Sequence, residues 1–326
     1  MPGVSIVVPV LNERENIGPL IARLEAAVEA DLEEILFVDD GSIDGTAELL
    51  AELCRRYPRV KALVFTRNFG QQAALSAGLD FARGDAVVLM DGDLQHPPEL
   101  VPRMIELWRG GAAIVSTIRR AQSDAGWFKR AGTALFYRAI NLISETPIEP
   151  HAADFRLLAR PVVEQLRRLE ERRRFLRGLI HWTGYRQATL EFDAPARAAG
   201  RTKYSASRMA ALALDAILSF SRFPLRVGFY AGLLLWLVSC VYAAYALYVK
   251  FVKDTVVPGW TSIIIVGTLI GGFQSILLGL IGEYVGRLYE ETKRRPLYLV
   301  ARAYGLESAP EGPGGPGDSA LSPGGT

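Results

Sequence analysis

The N-terminal part of the chain alternates between short apolar runs and longer amphipathic stretches. Ser5–Pro9, Glu34–Val38, Val60–Phe65 and Ala86–Met90 are short runs rich in β-branched residues, as expected of strands covered on both faces of a parallel sheet. Asn16–Ala30, Thr46–Tyr57 and Gln71–Arg83 carry apolar residues at helical spacing, and Gly41–Gly45 reads as a turn. This strand–helix alternation predicts an α/β domain with a doubly wound, mostly parallel sheet. Ligands of such sheets bind beyond the carboxyl ends of the strands. Asp39, Asp40, Asp91 and Asp93 all fall at such ends.

Further along, the pattern becomes amphipathic and then wholly apolar. Phe128–Ser144 predicts a helix carrying Lys129, Arg130 and Arg138. Pro161–His181 predicts another, whose Arg167, Arg168, Arg172, Arg173, Arg174 and Arg177 suggest docking on lipid headgroups. Ser205–Ser221 is apolar on one side, a pattern that suits a core helix as well as an interfacial one, and its place directly before a long apolar stretch selects the interfacial helix. Val227–Val249 and Val256–Gly282 contain no charged residue, and each exceeds the roughly 20 residues that cross a hydrocarbon core of about 30 Å.

The link between these apolar stretches, with Lys250, Lys253, Asp254 and Pro258, is short enough for a helical hairpin. Arg222 and Arg226 precede it, and Arg287, Lys293, Arg294 and Arg295 follow it. The positive-inside rule then puts both ends in the cytoplasm. Gly267/Gly271 and Gly282/Gly286 have small-xxx-small spacing, which the ordinary abundance of glycine in membrane helices explains more simply than a packing motif. The Gly-, Pro- and Ser-rich sequence after Gly305 is expected to be disordered.

Composition narrows the reading a little. Half the residues are apolar and the net charge is +2, too small to argue for nucleic acid; basic residues cluster instead beside apolar segments, as at a membrane surface. The two cysteines, Cys54 and Cys240, suggest no disulfide, and no Cys/His pair has zinc-ligand spacing. Val4–Leu11 is a short apolar run followed at once by Asn12, Glu13, Arg14 and Glu15, unlike a signal peptide.

The sharpest chemical signal is Asp91-Gly92-Asp93 at the end of an apolar run. Two carboxylates around a glycine suit a hard divalent cation, since Mg2+ takes one or two carboxylates and completes its shell with phosphate and water. Taken alone the triplet is also an ordinary surface turn. It gains weight from Leu94-Gln95-His96-Pro97-Pro98-Glu99 after it and Val38-Asp39-Asp40-Gly41-Ser42-Ile43-Asp44-Gly45-Thr46 before it.

With Val8-Pro9-Val10-Leu11-Asn12-Glu13, Arg67-Asn68-Phe69-Gly70-Gln71, Asp154-Phe155-Arg156-Leu157-Leu158 and Gly200-Arg201-Thr202-Lys203-Tyr204-Ser205, these motifs resemble the family 2 glycosyltransferases of GT-A fold. The resemblance covers roughly residues 4–295. It is strongest to the polyprenyl-phosphate branch, which includes dolichyl-phosphate mannose synthases and bacterial undecaprenyl-phosphate glycosyltransferases. It implies a cytoplasmic GT-A domain over residues 1–200, a juxtamembrane loop and interfacial helix over 201–222, a two-helix transmembrane hairpin over 223–290 and a cytoplasmic tail over 291–326, all in a bacterial plasma membrane.

The resemblance also implies roles. Pro9, Leu11 and Glu13 line the nucleotide pocket, with Asp40 near the base and Asp39 supporting it. Asp91 meets the ribose or the metal, and Asp93 with Gln95 ligates Mg2+ or Mn2+. Asp154 stands at the position often proposed as catalytic. A phosphate monoester is already ionised, so a general base has little proton to remove; orienting the acceptor, or a cation such as Arg156, suits Asp154 better. Arg119, Lys129 and Arg130, with Arg201 and Lys203, face the lipid phosphate.

The implied reaction is inverting transfer of a sugar, with UDP-glucose as the first expectation, to undecaprenyl phosphate, in an enzyme for which a homotetramer is credible. Two alternatives stand beside it. One is a processive polysaccharide synthase, whose Gln-x-x-Arg-Trp signature is missing around His181-Trp182. The other is an inactive sugar-nucleotide-binding scaffold, which intact acidic motifs disfavour.

Overall fold

The computed structural model describes residues 3–119, 152–169, 171, 174, 176–192, 228, 230–234, 237–238, 241–242, 244–245, 248 and 259–306. The helices expected over Phe128–Ser144 and Ser205–Ser221 lie outside them. The chain divides into two compact units. One comprises Met1–Arg138, Thr146–Thr202 and Arg295–Thr326, the other Ala139–Glu145 and Lys203–Arg294.

The first unit is built on β1 (Val4–Val10), β2 (Leu32–Asp39), β3 (Val60–Phe65), β4 (Ala86–Leu89), β5 (Ile114–Arg119), β6 (Ala152–Ala159), β7 (Gln187–Phe192) and β8 (Val300–Tyr304). They form one sheet in the order β7-β5-β6-β4-β1-β2-β3-β8. The four strands read from sequence are parallel neighbours, β3-β2-β1-β4. The sheet as a whole is mixed, because β6 runs antiparallel to β4 and β5, and β8 antiparallel to β3, while β5 and β7 are parallel.

Alternation along β1 explains the layers. Val4, Ile6 and Val8 face one side, where they meet Ile17, Leu20 and Leu24 of α1 (Arg14–Val28), Leu50 of α2 (Thr46–Arg56) and Met104 of α4 (Val101–Arg109). Val7 faces the other side, against Leu75 of α3 (Gln71–Phe81), Val163 of α5 (Arg160–Arg168) and Leu179 of α6 (Leu176–Trp182). The α1 contacts at 17, 20, 21, 24 and 28 follow the helical repeat. Successive connections carry the chain from β1 outward to β3 and then back past β1 to β4. The β1/β4 seam is therefore the topological switch point, where open α/β sheets bind ligands.

The arginine-rich stretch Pro161–His181 is two helices, α5 and α6, rather than one. Its arginines are partly spent inside the domain. Arg167 donates to the Leu79 and Ala82 carbonyls, Arg160 to those of Ala82 and Gly84, and Arg174 to Leu169. Arg160 and Arg167 thereby satisfy carbonyls at and beyond the end of α3, and Arg174 one at the end of α5, where cations are favoured. A purely headgroup-facing role for Arg167 and Arg174 is thereby corrected.

Residues expected in a cytoplasmic tail also belong to the sheet. Val300–Tyr304 forms the edge strand β8, Thr66 N–H donates to the Leu299 carbonyl, and Tyr298 stacks on Phe65 at 5.2 Å. The Tyr298 hydroxyl donates to Asp80 Oδ2 at 2.9 Å. Burial raises the Asp80 carboxyl above its ordinary range, against the pull of that hydrogen bond and of Arg174 and Arg167.

The second unit contains α7 (Trp260–Thr292). Among the described residues one helical stretch, Leu269–Thr292, is long and apolar enough to cross a membrane, and none of it is buried in the protein. Residues 228, 230–234, 237–238, 241–242, 244–245 and 248 are also helical. A Cβ added at Gly228 would meet Leu277, and one at Gly232 would lie 3.5 Å from the Phe273 ring. As the first position advances by four the second retreats by four, so the two helical segments pack antiparallel. The close approach uses Gly228 and Gly232; among the described residues nothing lies within 4 Å of a Cβ added at Gly267, Gly271, Gly282 or Gly286.

Tyr298→Phe removes the hydroxyl donor from a mostly buried carboxylate. It is expected to cost about 1–3 kcal/mol of stability, read as a lower denaturation midpoint of the purified protein in detergent; an unchanged midpoint would show that the contact does not secure the returning segment.

Candidate functional site

Three loops at the carboxyl edge are laced together by side chains of the first acidic motif. Asn12, just beyond β1, has φ of 56°. It donates its N–H to Ser42 Oγ at 2.8 Å, and its Oδ1 accepts the Ile43 N–H at 2.9 Å. Asp39 Oδ1 accepts both the N–H and the hydroxyl of Ser42. Asp40 accepts the N–H groups of Phe69 at 2.6 Å and Gly70 at 2.9 Å. Gly41 makes the crossing of these loops possible. Its φ is +78°, and a Cβ there would sit 2.6 Å from the Arg67 carbonyl carbon.

Asp39 and Asp40 thus have structural work of their own. Burial raises both carboxyls, partly offset by Ser42 at Asp39 and by the Phe69 and Gly70 amides at Asp40. Asp39 Oδ2 is buried and has no hydrogen-bond partner among the described residues. Such an acceptor is costly unless something donates to it, which suits a bound N–H or O–H. Pro9 is half-buried at the end of β1, Leu11 is exposed, and Glu13 Oε2 accepts the Asn16 side-chain amide at the start of α1.

The second acidic motif lies across the switch point. Gly92 fits against β1, where a Cβ would stand 2.9 Å from Val10 Cγ1. Leu94 has φ of 60°, a conformation costly for a branched side chain and kept where surrounding contacts demand it. The turn it makes lets the Gln95 N–H reach Asp93 Oδ1 at 3.1 Å. Asp91 donates its N–H to His96 Nδ1 at 3.0 Å, and its Oδ1 accepts from Gln71 Nε2 at 2.7 Å. His96 is buried and stacks on Phe155 at 5.1 Å. Its Nδ1 is an acceptor, so the ring proton sits on Nε2, 3.8 Å from Asp91 Oδ2.

Strand register brings in the third acid. β4 and β6 are antiparallel with Leu89 opposite Arg156, and continuing that register places Asp91 opposite Asp154. Arg177 on α6 grips Asp154 through two bonds, Nε to Oδ1 at 2.6 Å and Nη2 to Oδ2 at 2.8 Å. Burial, then the negative charges of Asp154 and Asp93, push the Asp91 carboxyl up to about 7, against the pull of Arg177 and Gln71. About a third of the Asp91 side chain (32%) stays open to solvent, so this charge is reachable from the crevice.

Asp39, Asp40, Asp91 and Asp93 therefore share the carboxyl edge expected of them, and Gln95 and Asp154 lie beside them. β5 runs parallel to β4, so Arg119 at its end stands on the same edge; Lys129, Arg130, Arg201 and Lys203 lie outside the described residues. Among the described residues no three His, Cys, Asp or Glu side chains are grouped to hold a metal by themselves. The acids fit a hard cation that takes one or two carboxylates and fills its shell with phosphate and water, because burial and the neighbouring charges of Asp154 and Asp93 already disfavour the ionised Asp91 carboxyl. Gln71 and Arg177 were missed as site residues. Gln71 lay within a quoted motif, but Arg177 was one arginine among six, and only the break between α5 and α6 sets it apart.

A carboxyl raised in the folded protein costs stability once ionised. That cost is absent below the unfolded value of 3.8 and complete above about 7. With chelator present, Asp91→Asn should raise the melting temperature more at pH 8 than at pH 4.5; a pH-independent difference would show that Asp91 is not held in this way.

This chain is similar to known proteins over most of its length. Residues 5–167 match Glycosyl transferase family 2, and residues 223–288 match the GtrB C-terminal hairpin. An uncharacterized glycosyltransferase, YkcC of Bacillus subtilis, is 42% identical over 93% of this chain and 95% of its own length. The bactoprenol glucosyl transferase of Shigella phage SfX is 42% identical over 91% and 98%. Among solved structures, the mannosyltransferase PcManGT of Pyrobaculum calidifontis, in complex with GDP-Man and Mn2+, aligns with a TM-score of 0.48 at 19% identity, over 89% of this chain and 88% of that one. On the two family matches and the full-length relatives, this chain is a family 2 glycosyltransferase.

Proposed function

We propose that this glycosyltransferase moves glucose from UDP-glucose to a polyprenyl phosphate, undecaprenyl phosphate in a bacterial membrane. The observation that carries the reading is the set of acids at the β1/β4 switch point, with Asp91 facing Asp154. The sugar and the acceptor rest on the relatives named bactoprenol glucosyl transferase. An oxygen of the lipid phosphate attacks the anomeric carbon as the bond from that carbon to the UDP oxygen breaks, in one inverting displacement. The acceptor oxygen is already ionised, so no base has to take a proton from it.

Asp91 and Asp93, with Gln95 beside them, would hold Mg2+ or Mn2+, which supplies positive charge to the departing diphosphate. Asp39 offers its buried Oδ2 to the nucleoside, beside Pro9, Leu11, Glu13 and Asp40. Asp154 orients the acceptor on the opposite side of the acid group. Arg119, Lys129, Arg130, Arg201 and Lys203 supply cations for the lipid phosphate.

The membrane reading follows from chain connectivity. Thr146–Thr202 and Arg295–Thr326 belong to one compact unit, so the chain between them crosses a bilayer an even number of times. If α7 is one crossing, the apolar stretch Val227–Val249 is the other. The antiparallel contacts of Gly228 with Leu277 and of Gly232 with Phe273 support such a hairpin, with the catalytic unit and both termini in the cytoplasm.

Two measurements test this. Membranes containing the protein should transfer labelled glucose from UDP-glucose into an organic-extractable lipid, and Asp91→Asn/Asp93→Asn should lower that rate about a hundredfold or more, as loss of several kcal/mol of charge stabilisation implies. Undiminished synthesis by the double variant, or insoluble polymer as product, would overturn the reading. In a Cys54→Ser/Cys240→Ser background, Lys253→Cys should react with an impermeant maleimide from outside intact cells and Arg302→Cys should not; the reverse pattern would reject the topology.

A further inference from the structure

We propose that Arg177 is a positioning residue that holds Asp154 in its working orientation across the crevice from Asp91. Nothing in the reaction as drawn requires Arg177 to touch donor or acceptor. Its two bonds to Asp154 come from different nitrogens and end on different oxygens, at 2.6 and 2.8 Å. A fork of this kind fixes both the rotation and the tilt of a carboxylate, which a single bond does not.

The arginine is itself held on a rigid base. Leu176, Leu179 and Ile180 anchor α6 in the core, and the Leu176 N–H donates to Gln72 Oε1 at 3.1 Å. Gln72 adjoins Gln71, whose amide holds Asp91 Oδ1. The start of α3 therefore holds Asp91 through one glutamine and the base of Arg177 through the next. Asp91 and Asp154 are tied to each other twice, across the strands β4 and β6 and around through α3 and α6. A carboxylate directed at an acceptor beside two other acids would otherwise swing away from them.

The inference rests on the transfer reaction proposed above, and its test has a readout that does not depend on it. With saturating lipid, Arg177→Gln should lower kcat about a hundredfold, as misplacement of a catalytic group does, and leave KM for the nucleotide-sugar unchanged. Arg177→Lys should recover little, since an ammonium cannot form the fork. Asp154→Asn/Arg177→Gln should be no slower than Asp154→Asn alone, and the two substitutions together should shift the melting temperature by less than the sum of their separate shifts.

A loss seen in KM instead of kcat, rate losses that multiply, or melting shifts that simply add would each overturn the inference. If the wild type forms no glycolipid, the acceptor reading fails, and the melting cycle still decides whether Arg177 and Asp154 act as a pair.

Discussion

Three carboxylates drawn to one end of two neighbouring strands repel one another, and much around the site manages that repulsion. Asp91 and Asp154 oppose each other by strand register, and Asp93 follows two residues after Asp91. Their charges, with burial, hold a proton on Asp91 up to near neutrality. Arg177 offsets Asp154, and Gln71 and His96 hold Asp91 by its side chain and backbone. A protein selected only for stability would replace one of these acids. Keeping all three preserves a concentrated negative site, which would hold a divalent cation able to offset both the acids and a departing diphosphate.

The first acidic motif uses a different economy. Asp39 and Asp40 are mostly committed to backbone and hydroxyl donors from loops that meet there, and Gly41 lets those loops cross at near-contact distance. Among the described residues one oxygen of Asp39 is left buried and unmatched. The motif thus both joins the loops and leaves an acceptor among them.

The catalytic unit is also closed by chain from beyond the apolar helices. Tyr298 and β8 return to the β3 edge, and the Tyr298 hydroxyl meets Asp80 beside the arginines that cap α3. The same helix α3 carries Gln71 and Gln72 at its other end. An edge strand that would otherwise expose its backbone is covered, and the chain beyond the apolar helices is built into the domain.

The amino-acid sequence by itself determined the parallel strands β1 to β4, the helices between them and the acids at their carboxyl ends, because burial on both faces and helical periodicity are local patterns. It also marked the apolar helices, whose length and lack of charge need no partner to be recognised. Only the tertiary structure decided that the outer strands make the sheet mixed, that Val300–Tyr304 belongs to it, and that Gly228 and Gly232 rather than the later glycines meet the neighbouring helix. It likewise singled out Arg177 from its run of arginines as the partner of Asp154. Each of these depends on which distant segment arrives beside a residue, and neither spacing nor composition along the chain carries that information.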